Sequence, residues 1–360
     1  MEKIGLGGDK VVVTGVTGFL GSWLTYMLIE NGSYSVRATM RNSKDQSKLD
    51  KIKGGFKEKF DKLELVEADM SDDASIDKAI EGCKYVFHVA TPFPAESPSD
   101  ENELIKPAVN GAESIVKACD KHGVKRLVFT STIGTMDDWT LGDCEINEEC
   151  QAPIDDDTIP YVKSKILAEN KIQEMVTEIN ETRKKESKPE LELVIINPSF
   201  IQGPLIIECS GASQQLVSGI MTGKIPQVPP YHLKGIDVRD LALAHIKGLE
   251  IEPYKRYAMI AGESTFAGYG EWIKERYGKY GYDVTTKEVG TFLLWVGSFF
   301  NKDAKFLYSL ANVKLYYNTD MTKEAMGFEY RDIKESLYEQ CESLIKFGIV
   351  EDKTKEKVAE

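Results

Sequence analysis

Lys10-Val-Val-Val-Thr-Gly-Val-Thr-Gly-Phe-Leu-Gly21 is the stretch that decides the fold. Its valine run is apolar without alternation, as expected of a strand buried on both faces of a parallel sheet. Gly15, Gly18 and Gly21 follow in Gly-x-x-Gly-x-x-Gly spacing, and a helical pattern begins at once. Such a turn lets backbone amides and a helix N-terminus approach a pyrophosphate. An ordinary glycine-rich strand-to-helix turn is the competing reading, and the position after the first buried strand makes it less natural. Gly15, Thr17, Gly18, Phe19, Leu20 and Gly21 are the expected contacts here.

Outward from this stretch, short apolar runs alternate with longer amphipathic ones. Strands are expected at Lys10–Thr14, Ser35–Arg41, Leu63–Ala68, Tyr85–Ala90, Leu127–Ser131 and Leu193–Asn197. Helices are expected near 19–31, 73–82, 104–122 and 161–185. This alternation predicts an α/β fold of Rossmann type, a doubly wound parallel sheet. After about residue 200 the rhythm breaks, and Pro226, Pro229 and Pro230 mark a loop. Helical patterns return at 266–280, 290–312 and 333–347. The expected organisation is a cofactor-binding domain over 1–200, completed by segments near 235–262. A smaller, mostly helical substrate lobe follows over 201–350, then a charged tail, 351–360. The apolar run Val289–Phe300 is too short to span a membrane, which needs about 20 residues. It reads as a buried helix, with a greasy lid as the alternative.

The chain has 360 residues and a formal charge of −13. That balance argues against a sequence-independent nucleic-acid binder and against docking on an anionic membrane. Six isolated cysteines without a Cys-x-x-Cys pair, and four histidines, leave little material for a metal site. They suit a reducing compartment, so a cytoplasmic location is expected. No charged-then-apolar leader opens the sequence, so no signal peptide is expected. Monomer and homodimer both remain open.

The end of the second strand reads Arg41-Asn-Ser-Lys44-Asp-Gln-Ser-Lys48. NAD-binding folds usually place an acidic residue here for the ribose 2′-hydroxyl. A guanidinium suits a 2′-phosphate instead. Arg41 and Lys48 therefore favour NADP(H) over NAD(H); Asp45 and Asp50 fall in a helix start. Two further strand ends should line the cofactor. In one, Asp69 is placed to accept from the adenine amino group, with Met70 beside it. In the other, Val89, Ala90 and Thr91 let backbone approach the ribose. His88 reads as a packed residue of the sheet.

Tyr161-Val-Lys-Ser-Lys165 places a phenol and an ammonium four residues apart, on one helix face. A cation beside a phenol favours the phenolate, so the pair is suited to exchanging a proton with a carbonyl oxygen. The fifth strand ends in Ser131 and Thr132, whose hydroxyls should lie over the cofactor.

The motifs TGVTGFLG, VRATMR, FHVATP, TSTIGT, YVKSK and NPSFIQGP, in this order, resemble the extended short-chain dehydrogenase/reductases. The resemblance covers about residues 10–350 and is strongest to the dihydroflavonol 4-reductase, cinnamoyl-CoA reductase and methylglyoxal (aldehyde) reductase subgroup. It implies an NADP-dependent oxidoreductase that reduces a small-molecule carbonyl. Tyr161 would be the acid/base, and Lys165 would bind the nicotinamide ribose and lower the tyrosine pKa. Thr132 would be the strand-five hydroxyl where the family usually has serine, with Ser131 as the alternative. Arg41 and Lys48 match the family's 2′-phosphate contacts, and Pro198, Ser199, Ile201 and Ser213 its nicotinamide flank. Asn110 falls where the family has a helix residue near the site.

The segment Asp137–Pro160 is shorter than in the plant flavonoid reductases, and Asp137 stands near their ring-gripping asparagine. Both features argue against a flavonol and for an aldehyde or ketone with some apolar surface. Met221, Phe266, Trp295 and Phe299 read as core or as walls of an apolar pocket. An NAD-dependent sugar-nucleotide epimerase or dehydratase would carry an acidic residue in place of Arg41. A hydroxysteroid-type dehydrogenase/isomerase would differ in cofactor and direction. A non-catalytic cofactor sensor would not need the phenol.

Overall fold

The structure is a computed structural model that describes residues 8–90, 100–138, 140, 142–155, 158–300, 302–311 and 313–355. Along the chain, β1 (Lys10–Val13), α1 (Phe19–Asn31), β2 (Ser35–Met40), α2 (Gln46–Phe56), β3 (Leu63–Glu67), α3 (Asp73–Ile80) and β4 (Tyr85–His88) come first. Next are α4 (Asn102–Lys121), β5 (Arg126–Thr130), β6 (Cys144–Ile146), α5 (Pro160–Lys185), β7 (Glu192–Pro198) and β8 (Phe200–Gln202). Then follow α6 (Ala212–Met221), β9 (His232–Asp237), α7 (Val238–Lys247), β10 (Lys255–Met259), β11 (Gly262–Thr265) and α8 (Phe266–Tyr277). The chain closes with α9 (Thr291–Ser298), α10 (Lys302–Ala311), β12 (Leu315–Tyr317), α11 (Asp320–Met326) and α12 (Ile333–Lys346).

Seven strands form one parallel sheet in the order β10-β7-β5-β4-β1-β2-β3. This is the doubly wound sheet expected from the alternation. The chain runs outward from β1 to β3, then crosses back to β4 on the other side of β1. That reversal opens a crevice at the carboxyl ends of β1 and β4, where ligands of such sheets bind. The continuous apolar runs are explained by burial: β1, β4 and β5 are buried along almost their whole length. One face of the sheet packs on a core with Leu24, Leu28 and Leu241, the other on one with Ile76, Ile115 and Ile172. The third strand, at the sheet edge, is only partly buried.

Of the segments near 235–262, Lys255–Met259 joins the main sheet beside β7. β9 instead pairs with β8 and β11 in a separate three-stranded sheet. A third cluster, with Val217, Ile273 and Leu337, joins α6, α8 and α12.

The apolar run Val289–Phe300 corrects the expectation of a buried helix. Phe292, Leu293, Trp295, Phe299 and Phe300 are exposed, and in α9 only Leu294 is buried. The single helical pattern over 290–312 is in fact two helices, α9 and α10, which pack on each other. No helix among the described residues is long and apolar enough to cross a membrane.

Candidate functional site

The switch-point crevice opens into a cleft of about 1870 Å³. Its first wall is the turn between β1 and α1. Gly15 has φ +81°, the left-handed region that favours glycine. Its amide donates to Thr39 Oγ1 at 3.1 Å, tying the turn to β2. A Cβ on Gly21 would overlap the Gly15 carbonyl, so the spacing of the glycines is what lets α1 close on the turn. Gly18 caps α1 without a side chain, and no acidic residue lies in the first turn. The helix N-terminus is thus left suited to an anion.

Beside the turn, Arg41 follows β2 with its side chain 76% exposed, and its Nε lies 4.0 Å from Asp69 Oδ2. The Asp69 carboxyl is held below the usual range, first by the Ser71 amide at 2.9 Å and its hydroxyl at 2.7 Å. Asp45 caps α2 by accepting from the Lys48 amide at 3.1 Å, which sets Lys48 in the first helical turn, facing the cleft. Met70, Val89 and Ala90 continue this wall. Thr91 lies outside the described residues.

Pro160 occupies the first turn of α5, where its missing N–H costs nothing, and it fixes where Tyr161 and Lys165 start. Both side chains line the cleft. Lys165 is 4% exposed, and its Nζ lies 3.4 Å from the Thr130 carbonyl at the end of β5. Burial lowers the ammonium to about 8, against an opposing pull from Glu169. Burial pushes the Tyr161 phenol up to about 12. The expected lowering of the tyrosine pKa by its neighbour is therefore not met. Loss of water around the hydroxyl is the cause. His88 packs in the sheet as expected, stacked on Phe129 with Nδ1 3.1 Å from Thr14 Oγ1.

The two candidate hydroxyls part company. Ser131 also lines the cleft, but it is almost fully buried and its hydroxyl is engaged, donating to the Glu169 carboxylate. Thr132 is partly exposed; its hydroxyl accepts from the Gly134 amide at 3.3 Å and donates to the Pro198 carbonyl at 3.5 Å. Both distances are long, so this hydroxyl is the one with capacity for a further partner. Pro198, Ser199, Ile201 and Ser213 line the cleft beyond it. Asn110 is exposed on α4 and stands apart. Phe266 lines the cleft, Met221 is fully buried in the α6/α8/α12 core, and Trp295 and Phe299 do neither.

The far end of the cleft holds groups that the sequence reading did not assemble. Tyr317 donates to Asp137, and Lys234 Nζ lies 5.0 Å from the centre of the Tyr317 ring. Burial raises the Asp137 carboxyl to about 6, while Tyr317 and Lys234 pull it down. Tyr231 and Leu310 add apolar surface. The three polar groups come from segments far apart in sequence, and only Asp137 carried a signal.

A sequence profile of the 3-beta hydroxysteroid dehydrogenase/isomerase family matches residues 12–226. A bifunctional dihydroflavonol 4-reductase/flavanone 4-reductase of Malus domestica is 34% identical over 310 residues, 80% of this chain and 81% of that protein. Cinnamoyl-CoA reductase 1 of Arabidopsis thaliana is 29% identical over 349 residues, 95% of this chain and 90% of its own. Among solved structures, the yeast methylglyoxal/isovaleraldehyde reductase Gre2, complexed with NADPH, matches with a TM-score of 0.76 and 23% identity, over 94% of this chain and 99% of that one. Vestitone reductase from alfalfa matches with a TM-score of 0.69 and 25% identity, over 95% and 99%. The chain belongs to the 3-beta hydroxysteroid dehydrogenase/isomerase family, as an oxidoreductase of the extended short-chain dehydrogenase/reductase kind.

Proposed function

We propose that this protein is an NADPH-dependent carbonyl reductase for an aldehyde or ketone with some apolar surface. The observation that carries this reading is a convergence: Thr132, Tyr161 and Lys165 share one cleft with the glycine turn and with Arg41 and Lys48. The cradle suits the dinucleotide: the glycine turn leaves the α1 N-terminus facing the cleft, and two exposed cations, Arg41 and Lys48, line the same cleft. NADP(H), when bound, supplies the hydride. Arg41 and Lys48 hold the 2′-phosphate end, and Asp69 and Met70 flank the adenine. Lys165 binds the nicotinamide ribose. Tyr161 gives its proton to the carbonyl oxygen, and Thr132 donates a hydrogen bond that polarises it. In this reading residues 1–200, with β10, hold the cofactor, and 201–350 supply most of the substrate end. The names of the relatives, reductases of dihydroflavonols, cinnamoyl-CoA and methylglyoxal, support the same class of reaction.

The test is NADPH oxidation with a panel of aldehydes, diketones, flavonols and CoA thioesters, for the wild type and Tyr161→Phe. The wild type should turn over at least one aldehyde or ketone. Tyr161→Phe should lose about 10²- to 10⁴-fold in kcat, the range of a positioned acid, with NADPH affinity within a few fold. Undiminished turnover by Tyr161→Phe would remove the proton-donor role. Oxidation of a sterol-like alcohol with NAD, and no carbonyl reduction, would favour the hydroxysteroid-type reading.

A further inference from the structure

Behind the cleft floor one side chain joins the strand ends to the helix that carries Tyr161. Glu169 lies one helical turn beyond Lys165 on α5 and is 3% exposed. Its Oε1 pairs with Arg256 Nε of β10 at 2.7 Å. Its Oε2 accepts from Ser131 Oγ, from Thr135 Oγ1 at 2.9 Å and from Asn197 Nδ2 at 3.1 Å. Asn197 also donates to the Thr132 carbonyl at 3.1 Å. Arg256 donates to the Thr135 carbonyl at 3.1 Å and to the Cys150 carbonyl at 2.5 Å. The network therefore holds Ser131, the Thr132 carbonyl and Thr135 against the Tyr161/Lys165 helix.

Stability alone is a poor reason for such a network, because a buried ion pair often contributes no more than apolar residues of the same volume. Its placement offers a better one. Near the Lys165 ammonium are the Thr130 carbonyl, Glu169 on its own helix and His88 on β4. Burial holds the His88 ring neutral, at about 3. The Glu169 carboxylate favours the charged form of Lys165, and Arg256 in turn pairs with Glu169.

We propose that Glu169, held by Arg256, is a positioning residue: it fixes the strand end that presents Thr132 and stabilises the ammonium of Lys165. This inference rests on the reading of Tyr161, Lys165 and Thr132 as the reacting end of the cleft. Lys165 loses its proton as pH rises through about 8, so kcat should fall on that limb. Removing the Glu169 charge should move the limb to lower pH.

The test compares Glu169→Gln with the wild type in the full chain, using NADPH and a carbonyl from the panel. Expected are a fall in kcat of about 10- to 100-fold, the scale of a displaced reacting group, KM and NADPH affinity within about threefold, and an alkaline limb at lower pH. Because Glu169→Gln takes the counter-charge from the buried Arg256 guanidinium, the double variant Glu169→Gln/Arg256→Met is made as well. It should regain thermal stability without regaining kcat. Lysine NMR titration, with the Lys165 signal assigned by Lys165→Arg, reads the coupling without turnover, and its midpoint should drop in Glu169→Gln. An unmoved midpoint, or a double variant that recovers kcat along with stability, overturns the proposal. Absence of wild-type turnover across the panel, with the midpoint shifted as expected, would instead reject the carbonyl-reductase reading and leave the coupling standing.

Discussion

Exchanging the two adjacent hydroxyls separately gives the sharpest test of the proposed site, because the two make different contacts. Thr132→Val is nearly isosteric and keeps the β-branch, so χ1 and packing are preserved. Among the described residues, the hydroxyl it removes makes two contacts, both long, to Gly134 and Pro198. A typical hydrogen bond contributes about 1 kcal/mol net, and these should contribute less, so the melting temperature should barely move. If Thr132 donates to the reacting oxygen, its loss resembles deletion of one oxyanion donor, about 10²- to 10³-fold in kcat. Ser131→Ala inverts this pattern. It removes one donor from a buried carboxylate, a charged hydrogen bond of about 1.5–3 kcal/mol. Glu169 keeps Thr135, Asn197 and Arg256, so the loss should sit at the low end of that range. It should appear as a lower melting temperature, with kcat reduced less than in Thr132→Val. Steady-state kinetics at saturating NADPH, paired with thermal melts, separates the two. If Thr132→Val keeps kcat within about threefold while Ser131→Ala loses about 10²-fold without losing stability, the assignment is reversed.

Two other substitutions probe the cofactor end. Arg41→Ala should weaken NADPH by about tenfold, or about 1.4 kcal/mol; this is below a fully buried phosphate contact because the side chain is 76% exposed and screened. NADH affinity should stay within about twofold, and equal losses in fluorescence titrations of both would reject the 2′-phosphate role. Gly21→Ala forces a Cβ into the Gly15 carbonyl; it should lower the melting temperature and abolish dinucleotide binding together, and a stable variant that still binds would show that the turn can relax.

The first two hundred residues were legible because their physics is local. A strand buried on both faces has to be apolar at every position, so β1, β4 and β5 announce themselves. A glycine at φ +81° and a proline opening α5 carry their reasons within a few residues. The later half follows another logic. Helices α6 and α7 went unseen because each is one short face of a mixed cluster, flanked by prolines or by strand-like runs. The α9 run misled in the opposite direction, since hydrophobicity records a preference for burial and not whether the fold provides it.

The site divides along the same line. Tyr161, Lys165 and the glycines are legible as candidates because their relations are spacings within one turn or one helix. Choosing Thr132 over Ser131 required knowing what lies behind the strand, and that is Glu169, 38 residues further on. Two signs of it were nevertheless present in the sequence. Glu169 repeats the four-residue step from Tyr161 to Lys165, so it shares their helix face. Arg256 sits in the strand Lys255–Met259, where a charge next to apolar neighbours needs a partner. A carboxylate on the inner face of a helix and a guanidinium inside a strand are each costly alone. Read as a pair, they predict each other, and with the partner in place the inward turn of Ser131 follows.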